Sequence, residues 1–503
     1  MSFRNSLPLI ALLPTLSWAE PMPTQSTSSV YNTSESKAPE SQGDYYKREV
    51  IPTPKDVTLE ATGIAILPDQ KVAVASRRGD IWVCSGAYGE DLAAVTWQRF
   101  ATGLHEPLGI FYRDGSIYAT DRAAITKMTD NDGDGVADSY RTVNDSWGVN
   151  GDYHEYNFGS TPDQEGNIWV VHCLTGSGRA ESDWRGWAFR YDMETGNAIP
   201  TASGIRSPGG IGFNAEGDCF YTDNQGHWNG SSSLKWLNPG SFQGNPTGTK
   251  YAELAGLVAP PDPVGTGNVQ AEYELNPSFQ RPAVMFPHSL VGQSPTGIIT
   301  DDSAGKFGPF AGQLLVGEQT HSEVQRVYLE KVKGQYQGAV WKHLSGFQSG
   351  IVSVKMGDNG VLFTGGTNRG WGSRGKKPFS FERVTWTGVT PFSMQQVNIT
   401  EDGFIIHFTH ALADQAAADV ANYKMGAWSY QHREKYGSEG YIDPYEPTVT
   451  KAEISPDKMS VRLTVDKLTR GHVHQLTISD AVQSEGGSPL WQEHVFYTVN
   501  ETL

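Results

Sequence analysis

A unit of about 50 residues recurs through the middle of this chain, and this repeat restricts the fold more than any other feature. Each copy opens with a glycine and a short strand, turns at Asp or Gly into a second strand, and ends in a third apolar strand. Successive leading glycines are 46, 50, 51, 87 and 53 residues apart. They are Gly63, Gly109, Gly159, Gly210, Gly297 and Gly350. Such a repeat is typical of a β-propeller, in which ring closure removes exposed sheet edges.

The repeat predicts an all-β fold with a six-bladed β-propeller at residues 45–387. The long fourth interval contains an insertion rich in Pro and Gly, at about 240–290. The leading glycine also has a mechanical explanation. Inner strands crowd around the central channel, and a missing side chain allows the backbones to approach closely.

After residue 388 the pattern changes to six or seven short strands joined by Asp-Gly and Pro-Asp turns. This number of strands over residues 388–503 predicts a C-terminal immunoglobulin-like β-sandwich. Such a domain usually serves packing, spacing or adhesion.

The start of the chain is typical of an exported protein. Arg4, the apolar stretch 7–16 and the small-residue site at 17–19 predict a signal peptide over residues 1–19. Residues 20–44 are rich in Ser, Thr, Pro and Glu, which predicts a disordered linker. No other stretch approaches a membrane span, so we expect a periplasmic or secreted protein.

The net charge of −17 argues against nucleic acid and anionic membranes as partners.

The segment 130–138 (DNDGDGVAD) resembles a calcium-binding loop of the EF-hand type. Carboxylates occupy relative positions 1, 3, 5 and 9, and glycine occupies position 6, a spacing at which hard oxygens can wrap one ion. The predicted ligands are Asp130, Asp132, Asp134, Asp138 and the carbonyl of Val136. Position 12 is Arg141, so Asp138 is expected to replace the usual closing glutamate. We expect the loop to lie between blades two and three and to stabilise the fold; the alternative is a solvated acidic turn.

Function in a propeller usually lies at a mouth of the channel, where loops of all blades converge. Loops that precede the first strands and loops that follow the second strands should share one such face. Asp121 and Asp223, at the ends of second strands, are expected to bond neighbouring blades.

Two residues in these loops are candidates for catalysis. His154 could act as a general base, because imidazole titrates near neutral pH. Arg206 could hold a carboxylate or a developing oxyanion, because its planar fork binds anions bidentately. The alternatives are a structural hydrogen bond for the histidine and an inter-blade salt bridge for the arginine. The candidate substrate contacts are His288, His321, Asn368 and Trp371, with packing or turn formation as the alternative.

Several segments resemble known families. GIRSPGGIGF at 204–213, running into YTDN at 221–224, resembles the soluble quinoprotein sugar dehydrogenases, six-bladed propellers related to sorbosone and aldose dehydrogenases. Segments 221–226, 317–322 and 365–372 are similar to exported membrane-bound-dehydrogenase-like propellers of environmental bacteria. The resemblance covers about 60–390 and the trailing sandwich.

This resemblance implies pyrroloquinoline quinone (PQQ) as cofactor. His154 would be the base that takes a proton from a sugar hydroxyl while hydride passes to the quinone, and Arg206 would bind the quinone. The implied cofactor-binding residues are Arg206, Asn224, Gln319, Arg369 and Arg374.

Three functions therefore remain open. The first is a quinone-dependent sugar or alcohol dehydrogenase that passes electrons to a separate cytochrome or small carrier. The second is a polysaccharide lyase acting on uronate-containing glycans, with His154, Tyr153 and His288 abstracting a proton and Arg206 neutralising the carboxylate. The third is a non-catalytic carbohydrate- or protein-binding propeller. Fold alone cannot choose among them.

Overall fold

The computed structural model describes residues 42–369 and 372–503, and over these residues the protein is all-β. The α-helices in this part of the chain are short. They are α1 (Gln42–Tyr45), α2 (Val269–Leu275) and α3 (Asp414–Ala417). The predicted signal peptide and the predicted linker as far as residue 41 lie outside the described residues, and residues 42–44 form part of α1. No helix in the described ranges is long and apolar enough to cross a membrane.

The first strand, β1 (Tyr46–Val50), is followed by three four-stranded antiparallel sheets. Sheet A consists of β2 (Ala61–Leu67), β3 (Lys71–Ser76), β4 (Ile81–Ser85) and β5 (Thr96–Ala101). Sheet B consists of β6 (Ile110–Arg113), β7 (Ser116–Thr120), β8 (Ile125–Thr129) and β9 (Ser139–Asn144). Sheet C consists of β10 (Asn157–Gly159), β11 (Ile168–His172), β12 (Trp187–Tyr191) and β13 (Ala198–Ser203).

The next three sheets are less regular in their connections. Sheet D consists of β14 (Pro208–Phe213), β15 (Cys219–Asp223), β16 (Ser232–Trp236) and, after the short β17 (Gly267–Asn268), β18 (Val284–Phe286). Sheet E begins with β19 (Pro295–Thr300), β20 (Leu314–Glu318), β21 (Glu323–Val332) and β22 (Gln335–Leu344). Sheet F consists of β23 (Ile351–Met356), β24 (Leu362–Thr367), β25 (Phe379–Trp386) and the returning β1.

Each repeat thus holds one strand more than the pattern predicted. Two predicted positions change as a result. The insertion at about 240–290 lies between the third and fourth strands of sheet D, and β18 at its end belongs to that sheet. The acidic loop 130–138 connects β8 to β9 within sheet B, so its predicted place between two blades is wrong.

The first strands of the sheets lie side by side in a closed series of contacts. Strand β2 contacts β6, β10 contacts both β7 and β14, β19 contacts β14 and β23, and β23 returns to β2. A Cβ on Gly109 would lie 2.3 Å from the carbonyl oxygen of Gly159, and one on Gly210 would lie 2.5 Å from that of Thr296. No side chain fits at these distances, which confirms the close backbone approach expected of the leading glycines.

The N-terminal strand completes the last sheet of this series. Tyr46 to Val50 pairs antiparallel with Glu382 to Trp386, so β1 covers the outer edge of sheet F. Arg383 reinforces the pairing through an ion pair of 2.9 Å to Glu49. The side chain of Tyr46 is buried against Phe307. Residues 46–50 are therefore fastened to a strand that lies far from them in sequence.

The C-terminal region consists of nine strands. They are β26 (Met394–Ile399), β27 (Gly403–Phe408), β28 (Tyr423–Ser429), β29 (Gln431–His432), β30 (Ile442–Tyr445), β31 (Val449–Ile454), β32 (Ser460–Val465), β33 (His472–Ile478) and β34 (His494–Val499). Sheet G has the order β26-β27-β32-β31. Strands β34, β33, β28 and β30 extend sheet E, because β34 pairs with β22. Sheet G and this extension enclose one apolar core, to which Trp341 of β22 belongs.

Candidate functional site

One face of the series of sheets carries the loops that precede first strands and the ends of second strands. In several sheets a polar side chain at the end of the second strand accepts a backbone N–H from the loop before the first strand. The pairs are Asp121 with His105 N–H (3.1 Å), Asp223 with Ser207 N–H (2.9 Å), Glu318 with Gln293 N–H (2.9 Å) and Asn368 with Gly350 N–H (3.1 Å). These bonds confirm that the two kinds of loop share a face.

The same bonds correct the expectation for two aspartates. The carboxylates of Asp121 and Asp223 bond loops of their own sheets, not those of neighbouring sheets. Asp223 also forms an ion pair of 3.0 Å with Lys235 of the same sheet. Ion pairs between neighbouring sheets are formed by other residues, such as Arg77 and Glu106.

A chain of ion pairs runs across sheets A and B at this face. Glu60 pairs with Arg77 at 2.9 Å, Arg77 with Glu106, and Glu106 with Arg122 at 3.0 Å. The last guanidinium donates to the backbone carbonyl of Asp152, in the loop before β10. Arg122 is buried, so these ion pairs hold its guanidinium group next to the loop before β10.

His154 lies in that loop, partly buried, between acidic and basic groups. Its backbone N–H donates to Asp152 Oδ1 at 2.8 Å, and its ring lies edge-on to Tyr153 with 4.7 Å between ring centroids. Burial lowers the pKa of His154 below its ordinary value; Asp152 opposes the shift, and Arg206 and Arg122 add to it. No hydrogen bond to the imidazole is found among the described residues. The ring is thus neutral near pH 7 and has a nitrogen able to accept a proton.

Arg206, in the loop before β14, is buried beside this histidine. Its Nη1 donates to the carbonyl oxygens of Asn224 (3.1 Å) and Gln225 (2.6 Å). A Cβ on Gly226 would lie 1.9 Å from the arginine Cζ, so the absent side chain makes room for the guanidinium. The Nε of Arg206 and the Oδ1 of Asn224 are buried and have no hydrogen-bond partner among the described residues. The Arg206 Nε donor and the Asn224 Oδ1 acceptor are therefore both available to a ligand at this face.

The C-terminal region contributes to the site through Tyr436. The Cζ of Arg206 lies over the Tyr436 ring, 5.2 Å from its centroid, and 59% of the tyrosine is exposed. The loop that carries it is fixed by backbone bonds from Gly437 N–H to Gly226 (3.0 Å) and from Trp228 N–H to Arg433 (2.8 Å). Sequence reasoning missed this tyrosine, because it lies far from Arg206 along the chain, in a region expected to serve packing, spacing or adhesion.

Two of the predicted substrate contacts, His288 and His321, lie in buried or partly buried positions next to sheet E. His321 is buried, and burial, with the nearby charges of Arg374 and Lys342, lowers its pKa to about 3. Burial also lowers the pKa of His288 to about 4 and raises that of Glu318 to about 7, despite the backbone amides that bond Glu318. Both histidines are therefore neutral near pH 7.

The remaining predicted residues lie around sheet F. Asn368 accepts from Ser349 and Gly350, in the loop before β23, at 3.1 Å each, and donates to the carbonyl of Gly375 in its own turn at 2.9 Å. Gln319 Nε2 donates to the carbonyl of Thr367 at 3.3 Å. Arg369 and Arg374 are exposed, and the second lies 3.8 Å from Glu323. Trp371 lies outside the described residues.

The acidic loop forms a separate cluster in sheet B. Carboxylate oxygens of Asp130, Asp132 and Asp138 lie within 4.8 Å of one another. Asp134 is not in this group, and its Oδ1 accepts the N–H of Val136 at 2.8 Å. Hydrogen bonds, first from Gly135 N–H, lower the pKa of Asp130. Three of the predicted carboxylates are thus brought together at the loop.

Fold and site together define an all-β protein with a closed series of sheets, one face of which carries His154, Arg206 and a network of ion pairs. The domain of unknown function DUF7133 matches residues 77–343, more than half of the chain. The protein belongs to this family. No curated protein matches it.

Several solved structures are similar to the chain. A putative oxidoreductase (glucose dehydrogenase) of Thermus thermophilus is 18% identical, with a TM-score of 0.49, over 67% of this chain and 99% of that one. A PQQ-bound aldose sugar dehydrogenase of Streptomyces coelicolor is 16% identical, with a TM-score of 0.45, over 67% and 98%. The PQQ domain of a pyranose dehydrogenase of Coprinopsis cinerea is 12% identical, with a TM-score of 0.46, over 68% and 95%. These likenesses are too distant to assign an activity.

Proposed function

We propose that this protein is an exported, PQQ-dependent sugar or alcohol dehydrogenase. In this proposal sheets A to F are the six blades of a β-propeller, and sheet G with the extension of sheet E is an immunoglobulin-like sandwich. The substrate is a carbohydrate or another small polyol, and the electrons leave to a separate cytochrome or small carrier in the periplasm or outside the cell.

The observation that carries the proposal is the state of His154. Its imidazole is neutral near pH 7 and has no hydrogen-bond partner among the described residues. It lies near the guanidinium groups of Arg122 and Arg206. A neutral imidazole can take the proton of a substrate hydroxyl. Arg206, for which no ion pair is found among the described residues, favours the alkoxide that this proton loss creates, since opposite charge stabilises the charged form.

The side chains around Arg206 fit the quinone that the sequence resemblance implies. PQQ presents carbonyl and carboxylate oxygens and a pyrrole N–H, and when bound it accepts a hydride from an alcohol carbon. The unsatisfied Nε of Arg206 and Oδ1 of Asn224 supply one donor and one acceptor for such a molecule. The exposed Arg369 and Arg374 offer cations for its carboxylates. The Tyr436 ring, covered on one side by the Arg206 guanidinium and largely exposed, adds an aromatic surface beside these groups.

Titration of the mature protein with PQQ tests the proposal. We expect saturable binding followed by quinone absorbance, and dye reduction that depends on an aldose or alcohol. His154→Ala should abolish dye reduction and keep quinone binding, whereas His410→Ala, at an exposed position in the C-terminal region, should change neither. Absence of quinone binding to the wild-type protein would contradict the dehydrogenase proposal.

The ring contact between Tyr153 and His154 favours one second candidate, a lyase acting on uronate-containing glycans. In that reaction the histidine and tyrosine would share the proton transfer, and Arg206 would neutralise the uronate carboxylate. Unsaturated products released from polyuronates without quinone, and lost in both Tyr153→Phe and His154→Ala, would select this candidate. If both assays are negative, the protein is a carbohydrate- or protein-binding module.

We also propose that the loop at 130–138 binds calcium and stabilises sheet B. The support is the convergence of Asp130, Asp132 and Asp138, hard oxygen ligands of the kind that Ca²⁺ prefers. Calcium should raise the melting temperature of the wild-type protein and leave that of Asp130→Asn unchanged. Asp56→Asn, at an exposed turn, should keep the full calcium response. An equal response in all three proteins would place the ion elsewhere.

A further inference from the structure

A cavity of about 510 Å³ lies at the opposite end of the first strands from His154 and Arg206. The catalytic candidates precede first strands, whereas the cavity is lined by residues at the ends of first strands and in the turns that follow. Among these are Ile66 of β2, Tyr112 of β6, Pro162 after β10, Lys306 after β19, and Met356 of β23. Five sheets contribute, so the cavity is a feature of the assembled series of sheets.

Lys355 of β23 lines this cavity, and its ammonium group forms no direct ion pair with a described residue. The side chain is partly buried, and no described residue gives its ammonium group a hydrogen bond or an ion pair. Burial lowers the pKa of Lys355, and the nearby Asp302 opposes the shift. A partly desolvated cation without a partner destabilises a fold, so it is retained most readily where something outside the chain pairs with it.

The rest of the lining limits the chemistry of that partner. Tyr112 and Ile66 are partly buried and offer an aromatic and an aliphatic surface to the cavity. The exposed side chains of Asp302 and Asp358 balance the exposed Lys306 and the partly buried Lys355 in charge. The two carboxylates repel a dianion such as a phosphate ester more strongly than a monoanion, and a monoanion with an apolar body requires only the one ammonium group that lacks a direct ion pair.

We propose that this cavity is a second ligand site, which binds a small organic monocarboxylate through an ion pair with Lys355 and apolar contacts with Tyr112 and Ile66. The residues of this second site differ from the catalytic and cofactor-binding residues of the proposed dehydrogenase. Neither proposal requires the other. Its ligand approaches from the face opposite to His154.

Benzoate is a suitable probe, with benzyl alcohol as its neutral match and phenyl phosphate as its dianionic match. Calorimetry or ligand-observed NMR on the full-length mature protein should show benzoate binding more tightly than either match. Lys355→Met should weaken benzoate binding about tenfold or more, the loss expected for one ion pair worth about 1.4 kcal/mol. Lys333→Met, at an exposed turn, and His154→Ala should leave benzoate affinity unchanged.

A stability measurement keeps the test decisive. Removing an unpaired, partly buried charge should raise the melting temperature of the ligand-free protein in Lys355→Met and in Lys355→Gln, and not in Lys333→Met. Benzoate should raise the melting temperature of the wild-type protein and of Lys333→Met, and leave both Lys355 variants unchanged. No benzoate binding to the wild-type protein, or equal binding by wild type and both Lys355 variants, would overturn the proposal.

Discussion

Arg206 shows how a missing side chain can build a site. Its guanidinium occupies the space that a Cβ on Gly226 would need, and two backbone carbonyls hold it there. The backbone of Gly226 is not in the left-handed region, so the glycine matters here for the room it leaves and not for the conformation it adopts.

Gly226→Ala should therefore disturb the site more than the fold. The new methyl would push the guanidinium away, and loss of a charged hydrogen bond costs about 1.5–3 kcal/mol, or roughly tenfold or more in affinity for an anion at this face. The change should appear as weaker PQQ binding in titration, with a small decrease in melting temperature. Gly178→Ala, where the nearest atom to a Cβ is in the His227 ring at 3.5 Å, should bind as wild type. Unchanged binding in Gly226→Ala would show that Arg206 does not hold the ligand.

His154 gives a prediction on pH. Because its pKa lies below the ordinary 6.5, the neutral, proton-accepting form persists as the pH falls through 6.5 and is lost only in more acidic solution. The acid limb of kcat/KM, and the NMR titration of the His154 ring protons, should both have midpoints below 6.5.

Removing one of the cations that lower this pKa should move both midpoints. Arg122→Gln takes away a positive charge beside the imidazole, so protonation becomes easier and both midpoints shift to higher pH. Arg113→Gln, an arginine on the surface of sheet B, serves as the matched control and should leave both midpoints in place. A shift in the activity profile without a shift in the NMR titration would show that another group is the base.

At the scale of the elements, the returning strand β1 protects sheet F. Without it the outer edge of β25 would expose unpaired N–H and C=O groups, and such edges promote aggregation. A chain that begins at Ile51 should melt well below one that begins at Gln42, and it should aggregate on heating. The buried Tyr46 alone is worth about 3–5 kcal/mol, by analogy with truncation of other large aromatic residues. Equal melting temperatures for the two chains would mean that β1 is dispensable.

The inner strands were more predictable than an exposed outer strand such as β9, for a physical reason. Inner strands such as β3 and β11 are buried on both faces and appear as apolar runs. The outer strand β9 (SYRTVN) is largely exposed, so its residues carry no apolar pattern that marks a strand. Missing β9 also misplaced the acidic loop, which is a hairpin within one sheet.

The candidate site was predictable only in part, because loop position reveals which side chains share a face but not which ones touch. His154 and Arg206 were found in this way. The ion pairs of Arg77 and Arg122 and the ring of Tyr436 depend on contacts between distant segments. Periodicity along one chain contains no signal for such contacts.

At the scale of the molecule, the C-terminal region is joined to the rest by a shared sheet and a shared core. Ala339 and Val340 of β22 pair with Tyr497 and Phe496 of β34, so the sheet runs without interruption from one region into the other. Trp341 is buried in the core between sheet G and the extension of sheet E. Together with Tyr436 over Arg206, this arrangement makes the C-terminal region part of both the stability and the site.

A chain ending at residue 387 tests this continuity. Removal of residues 388–503 would leave β22 as an exposed edge and would uncover Trp341, so we expect a protein that is insoluble or melts far below the full-length chain. A milder change isolates the packing: Trp341→Ala in the full-length protein should cost about 3–5 kcal/mol in the free energy of unfolding. Trp97→Ala, a partly exposed tryptophan of sheet A, should cost less. If the shortened chain folds with the melting temperature of the full-length protein, the two regions are independent domains. The contact of Tyr436 with Arg206 is then not required for the fold around the site.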